Sequence, residues 1–129
     1  MTYENIKKEC DAIQDELETI IPDGINEVIE RAKVMAVYMS RSGYLLGEAK
    51  RIARSKKSSE ISDMIIKIAK EGCLSAKAQN ALVDTIAADE LYLVDRLDRI
   101  NAACTHTIDL CRSIISKEKA EMTYLHFQK

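Results

Sequence analysis

The chain has 129 residues, which suits a single domain, and its 47% apolar and 31% charged content is that of a folded protein. With one Phe, five Tyr and no Trp, its core must be aliphatic. The net charge of −2 excludes the broad basic field of a nonspecific nucleic-acid-binding protein. No apolar run reaches the roughly 18 residues of a membrane span, and the first ten residues lack the apolar core of a signal peptide. We therefore expect a soluble, cytoplasmic protein without a membrane partner, with one helical domain over residues 1–129.

The four cysteines, Cys10, Cys73, Cys104 and Cys111, are predicted to be reduced. They form no CxxC pair, and a chain with this much aliphatic residue content does not need disulfides. On a helix, Cys104 and Cys111 share a face while His106 points away from it, so these three residues cannot hold one metal ion. We expect neither a metal nor a cofactor.

A first helix is predicted from apolar residues that recur at a 4-3-4-3 spacing. These residues are Ile6, Cys10, Ile13, Leu17 and Ile20. The helix should end at Ile21, because Pro22, Asp23 and Gly24 follow as a turn signal.

The second predicted helix runs from Ile25 to Arg54, about 30 residues or roughly 45 Å. Gly43 and Gly47 lie in its middle, and each costs about 1 kcal/mol relative to Ala. Three explanations are open: close approach of another helix, a kink that opens a cleft, or glycines that are tolerated in a long helix or separate two shorter ones.

The rest of the chain also shows helical patterns. Residues 55–59 are predicted to form a polar link, followed by a short third helix that Ser58 or Ser59 caps and Gly72 ends. Ser75 should cap a fourth helix. No stretch alternates apolar and polar residues as a strand does. The predicted fold class is all-α, an elongated helical bundle with two long helices, intertwined or packed as a homo-oligomer.

The fifth predicted helix, over residues 90–124, would span roughly 50 Å, whereas a compact monomer of this size is nearer 30 Å across. Its apolar arc is wider than the roughly 100° stripe of a helix packed on one neighbour. The residues of this arc are Leu93, Leu97, Ile100, Cys104, Thr107, Ile108, Cys111, Ile114 and Ile115. We therefore expect a homodimer or a larger homo-oligomer.

Short hydrogen-bonding side chains follow one edge of that arc, and we call them the polar border: Asn101, Thr105, Asp109, Arg112 and Ser116. Arg99, His106 and Ser113 follow the other edge. Such directional groups suit a fixed partner better than bulk water. They could line a binding site, seal a polar subunit interface, or satisfy one another at i+3 and i+4 spacing.

Five cations lie within eight residues near the end of the second predicted helix, and we call them the basic cluster: Lys50, Arg51, Arg54, Lys56 and Lys57. The helix macrodipole favours cations at a C-terminus, and charge runs are commonly solvated. The functional alternative is an edge that binds phosphate.

Three segments of the chain carry a resemblance: RINAACTHTID over residues 99–109, YMSRSG over residues 38–43 and LGEAK over residues 46–50. They resemble segments of small, largely uncharacterised helical proteins encoded by phages and prophages of gut bacteria. The resemblance covers most of the chain and implies a phage accessory role in the cytoplasm of a bacterial host cell.

Catalysis is not the expected function. The chain has no Gly-rich phosphate loop, no HExxH motif and no nucleophile elbow, and Asp109 is the one acid at helical spacing from His106. A site assembled between subunits and acting on a nucleotide is the remaining enzymatic alternative, since it would leave no linear motif.

The expected function is binding and sequestration of a nucleotide-derived small molecule in polar pockets between helices. Phage proteins that sequester nucleotide signals of bacterial immunity are often small homo-oligomers, so such a role fits the accessory role that the resemblance implies. The candidate ligand-binding residues are Tyr38, Arg41, Tyr44, Arg96, Asn101, Thr105, Asp109 and Arg112. The arginines would bind phosphate, a tyrosine would stack on a base, and the others would bind hydroxyls or base edges.

Two alternatives stay open. The protein could be a recombination or replication accessory that grips single-stranded nucleic acid with the basic cluster and Tyr44. It could also be a non-enzymatic helical adaptor. Nucleic-acid binding should weaken steeply with salt, whereas an enclosed nucleotide pocket should stabilise the fold with weaker salt dependence.

Overall fold

The computed structural model describes residues 1–72 and 85–127. These residues form three helices: α1 (Tyr3–Leu17), α2 (Ile25–Glu71) and α3 (Ala88–Phe127). The predicted all-α class with two long helices is confirmed. At 47 and 40 residues, α2 and α3 are roughly 70 and 60 Å long. Assembly into a homo-oligomer stays a prediction.

The two long helices pack against each other in antiparallel directions. Lys56, in the second half of α2, donates a hydrogen bond to Glu90 at the start of α3. Ser42, earlier in α2, accepts a hydrogen bond from Asn101, which lies further along α3. The short helix α1 lies against both. It is antiparallel to α2, since Arg41 pairs with Glu9 while the earlier Arg31 pairs with the later Glu16.

Helix α1 begins where Thr2 caps it, with the Thr2 hydroxyl accepting from the Asn5 N–H at 3.3 Å. The predicted continuation of its apolar seam to Ile20 is wrong. The helix ends at Leu17, because the Thr19 hydroxyl and the Arg31 guanidinium donate to the Glu16 carbonyl, and Ile20 is 93% exposed. Side-chain capping therefore ends this helix before its apolar spacing does.

Helix α2 is longer than predicted, and the predicted break at residues 55–59 is wrong. The helix continues through this segment to Glu71, where Gly72 ends it with a positive φ of 107°. Lys56, in the middle of the predicted link, pairs with Glu90 of α3 at 2.9 Å. The polar residues of this segment thus belong to a largely exposed part of the helix, in which Lys56 contacts α3. The predicted fourth helix after Ser75 lies outside the described residues.

The core is aliphatic, as predicted. The buried residues of the main cluster are Ile6, Cys10, Ile13, Met35, Leu45, Ala49, Leu93, Leu97, Ile100 and Cys104. Burial raises the pKa of the Cys10, Cys104 and Cys111 thiols, which are free. Cys73 lies outside the described residues.

The apolar arc of α3 is covered largely by the chain's own helices. Five of its residues, from Leu93 to Cys111, are buried in a single copy, and the other four are half-buried. The large apolar side chains that α3 leaves exposed lie mainly at its end, where Met122, Leu125 and Phe127 are solvent-accessible. The width of the arc is therefore accounted for mainly by packing within one chain.

Candidate functional site

Asn101 of the polar border joins the two long helices. Its side-chain N–H₂ donates to the Met39 carbonyl at 2.8 Å and to the Ser42 hydroxyl at 3.0 Å. Ser42 is fully buried and donates in turn to the Met39 carbonyl. Because a buried hydroxyl needs hydrogen-bond partners, these bonds stabilise the α2–α3 contact. The Asn101 amide donors are thus used within the chain.

Three more residues of the polar border, Thr105, Asp109 and Arg112, have partners on their own helix. The Thr105 hydroxyl donates to the Asn101 carbonyl at 3.1 Å and lies 3.3 Å from the Met39 sulfur. Asp109 and Arg112 form an ion pair at 3.9 Å, with their side chains 61% and 76% exposed. Such an exposed pair contributes little to stability. Asp109 and Arg112 therefore lie on an open surface rather than in a pocket.

Arg41 has partners on two sides. Its guanidinium makes two hydrogen bonds to the Glu9 carboxylate, at 2.9 and 2.8 Å, and lies over the Tyr44 ring at 5.1 Å. The hydrogen bond to Glu9 is the main reason that the pKa of Arg41 is raised. Tyr38 is half-buried against the core. Arg41 therefore joins α2 to α1, and Tyr44 lies against its guanidinium.

The predicted phosphate-binding arginines do not converge. Arg41 pairs with Glu9, Arg96 pairs with Asp11 at 2.8 Å, and Arg112 pairs with Asp109. The hydrogen bond to Asp11 raises the pKa of Arg96. Each guanidinium thus has its own carboxylate partner within the chain.

A cleft of about 380 Å³ opens between α1 and α3, and we call it the α1–α3 cleft. Its lining residues are Gln14, Leu17, Arg96, Arg99, Ile100, Ala103 and Thr107. Ile100 is buried and Leu17 half-buried, so one wall is apolar. Arg99 is exposed and has no ion-pair partner among the described residues. Next to Arg96, it gives the cleft a guanidinium that remains available to an anion.

Arg99 lies on the edge opposite the polar border and is not among the ligand-binding residues predicted from the sequence. The missing information was the position of α1, which packs along that edge and turns it into a cleft. A usable signal was present in the 3-4-4 spacing of Arg96, Arg99, Ala103 and Thr107, which places these residues on one side of the helix.

The basic cluster separates into paired and unpaired cations. Arg51 pairs with Glu48 at 2.8 Å, and Lys56 pairs with Glu90 at 2.9 Å, a hydrogen bond that raises the pKa of Lys56. Lys50, Arg54 and Lys57 have no such partner within residues 1–72 and 85–127. Tyr44, expected to act with this cluster, lies about 120° around the helix from Lys50.

Gly43 and Gly47 lie within the continuous helix α2. A Cβ atom at Gly43 would lie 3.8 Å from the Asn101 amide nitrogen, an ordinary contact, and a Cβ at Gly47 would have nothing within 4 Å. Close approach of another helix of the same chain is therefore not the reason for Gly47.

Comparison with protein-family models, with curated proteins and with solved structures gave no match. The resemblance to phage-encoded helical proteins stays a prediction. In the part of the chain described, no helix has the length and apolar content needed to cross a bilayer, and no three potential metal ligands are grouped.

Proposed function

We propose that this protein is a binding protein that holds a small anionic ligand of the nucleotide class in the α1–α3 cleft. The observation that carries the proposal is the Arg99 guanidinium, which has no ion-pair partner among the described residues and which lines, together with Arg96, a cleft with an apolar wall. A ligand with a phosphate and a flat ring has matching chemistry, since guanidinium groups bind phosphate and an apolar wall accepts a ring.

The charge balance within the cleft also supports an anion. Asp11 neutralises Arg96, so Arg99 leaves the cleft with an excess positive charge. The cleft volume of about 380 Å³ lies within the usual range of small-molecule sites, roughly 300–1,000 Å³. Thr107 donates its hydroxyl to the Ala103 carbonyl at 2.9 Å and Gln14 donates to Glu18 at 3.0 Å. The Thr107 hydroxyl oxygen and the Gln14 amide oxygen still line the cleft as acceptors for ligand hydroxyls or ring N–H groups.

We prefer this cleft to the polar border as the ligand site because of how the border is used. The Asn101 donors bind α2, and Asp109 and Arg112 lie on an exposed surface. Sequestration of a nucleotide signal in a bacterial host is the physiological role that we propose, on the strength of the phage resemblance. A helical adaptor without a small ligand is the alternative.

A thermal-shift screen against mononucleotides, dinucleotides and cyclic nucleotides tests the proposal, with inorganic phosphate and an uncharged nucleoside run beside them. A ligand at 100 times its Kd should stabilise the fold by about 2.7 kcal/mol. The nucleotide should stabilise the protein more than phosphate or nucleoside alone, because the cleft offers both a cation and an apolar wall.

The matched variants are Arg99→Gln and Arg112→Gln, which remove one guanidinium each from the same helix. Arg99→Gln should weaken binding roughly 10- to 100-fold, the value of a charge-assisted hydrogen bond, and leave the melting temperature of the free protein unchanged. Arg112→Gln should leave binding unchanged. Stabilisation by none of the compounds, or equal losses in both variants, would contradict the proposal.

A further inference from the structure

We propose that α2 carries a second binding surface, a basic ridge formed by Lys50, Arg54 and Lys57, which contacts the phosphodiester backbone of single-stranded nucleic acid. The residues of this ridge are spaced 4-3, so they lie within about 60° of one another around the helix. They extend about 10 Å along its axis. The ridge shares no residue with the α1–α3 cleft, so the two proposals stand or fall separately.

The separation of paired from unpaired cations defines this ridge. Arg51 and Lys56 point in other directions and are neutralised by Glu48 and Glu90, whereas Lys50, Arg54 and Lys57 have no ion-pair partner among the described residues. Lys50 and Arg54 are exposed and Lys57 is half-buried. Three uncompensated charges at neighbouring positions repel one another, and a bound polyanion would relieve that repulsion.

The length of the ridge matches a nucleic-acid strand. A strand with stacked bases presents phosphates about 3.4 Å apart along its axis, so about three of them fall within the 10 Å of the ridge. A single row of cations follows a single backbone. It therefore suits one strand better than a duplex, where a protein gains affinity by contacting both.

An anionic membrane is the less suitable partner. A helix that lies on a bilayer inserts large apolar side chains beside its cations. Among the α2 side chains that the structure describes, the exposed large apolar ones are Val34, Val37, Met39 and Tyr44, all before the ridge begins. Within these side chains, the ridge has charge without an exposed large apolar residue beside it, which is what a phosphate backbone requires.

The test is fluorescence anisotropy of a labelled 30-nucleotide oligothymidine with the full chain, at 50 and 200 mM salt. Three phosphate contacts on a single strand predict that this rise in salt weakens binding about 20-fold per chain. Neutralising the ridge by Lys50→Gln, Arg54→Gln and Lys57→Gln together should abolish binding at 50 mM salt.

The matched control neutralises three other exposed lysines, by Lys33→Gln, Lys117→Gln and Lys119→Gln together. It changes the net charge equally and should retain binding within about threefold, since long-range charge is largely screened at these salt concentrations. Arg99→Gln should also retain binding, which separates this surface from the cleft.

Absence of binding at 50 mM salt, or equal losses in the two triple variants, would overturn the proposal. Tighter binding to a duplex of the same length would overturn the assignment to a single strand. Equal, ridge-dependent binding to phosphatidylserine vesicles would show a general anion surface and overturn the assignment to nucleic acid.

Discussion

Replacement of Arg31 by alanine should destabilise the fold by about 1–3 kcal/mol. The Arg31 side chain is only 10% exposed. It donates to the Glu16 carbonyl at 2.7 Å and to the Thr19 hydroxyl, so it caps α1 after its last turn. Hydrogen bonds to a charged group contribute about 1.5–3 kcal/mol each.

Two features make the expected loss of stability smaller than the sum of these hydrogen bonds. In the variant, the Glu16 carbonyl keeps its bond from the Thr19 hydroxyl at 2.7 Å. The variant also avoids the cost of desolvating the Arg31 Nε, which is buried and has no partner in the described residues. The 3.9 Å ion pair with the half-exposed Glu16 carboxylate adds little. The expected loss is therefore that of about one charged hydrogen bond, near 2 kcal/mol.

Urea denaturation followed by circular dichroism measures this loss, with Lys33→Ala as the control. Lys33 lies two residues further along the same helix and pairs only with the exposed Glu30, so its replacement should change stability by less than about 0.5 kcal/mol. Because the capped turn carries Leu17 of the α1–α3 cleft, Arg31→Ala should also weaken ligand binding. Equal stability of the two variants would refute the capping argument.

Four further predictions concern the helix contacts. Asn101→Ala should destabilise the protein by about 1–3 kcal/mol in the same denaturation assay, because it removes a partner of the buried Ser42 hydroxyl. Gly47→Ala should stabilise it by up to about 1 kcal/mol, since the new Cβ meets nothing within 4 Å; a loss instead would indicate that another molecule packs there. In a Cys73→Ser background, the part of the stability that comes from the buried thiols should be constant below about pH 9.0 and be lost as pH rises beyond it. The reason is that the buried Cys10, Cys104 and Cys111 thiols have raised pKa values, so the unfolded state releases their protons first. Light scattering should give at least a dimer mass at micromolar concentration, and Leu125→Asp at the exposed end of α3 should lower it to the monomer without unfolding; a monomer mass for the unchanged protein would refute the predicted homo-oligomer.

Helical periodicity predicted the main elements well because the buried apolar residues recur at helical spacing on one face of each helix. The seam of Ile6, Cys10 and Ile13 and the buried stripe of α3 follow directly from residue spacing. The errors lie at helix ends. Polar residues at 55–59 are compatible with either a link or an exposed helix. The contact of Lys56 with Glu90 of α3, which accompanies the helical form, joins residues far apart in the sequence and is not visible in the local pattern.

The candidate site was less predictable because it depends on which helices become neighbours. Spacing placed Arg96 and Arg99 on α3, but the pairing of Arg96 with Asp11 and the isolation of Arg99 follow from the packing of α1. Likewise, the helical wheel predicts Asn101 as a ligand-binding residue, whereas its side-chain N–H₂ donates to Met39 and Ser42 of α2. Contacts between helices far apart in sequence carry this information, and local pattern does not.

The most direct test of the proposed function is an NMR titration of the labelled protein with the nucleotide that stabilises it most. Binding in the α1–α3 cleft should shift the amide signals of Gln14, Leu17, Arg99 and Thr107, and leave those of the basic ridge unmoved. Arg99→Gln should remove these shifts at the same ligand concentration. Shifts centred on Asp109 and Arg112, or no saturable shifts with any nucleotide, would contradict the account.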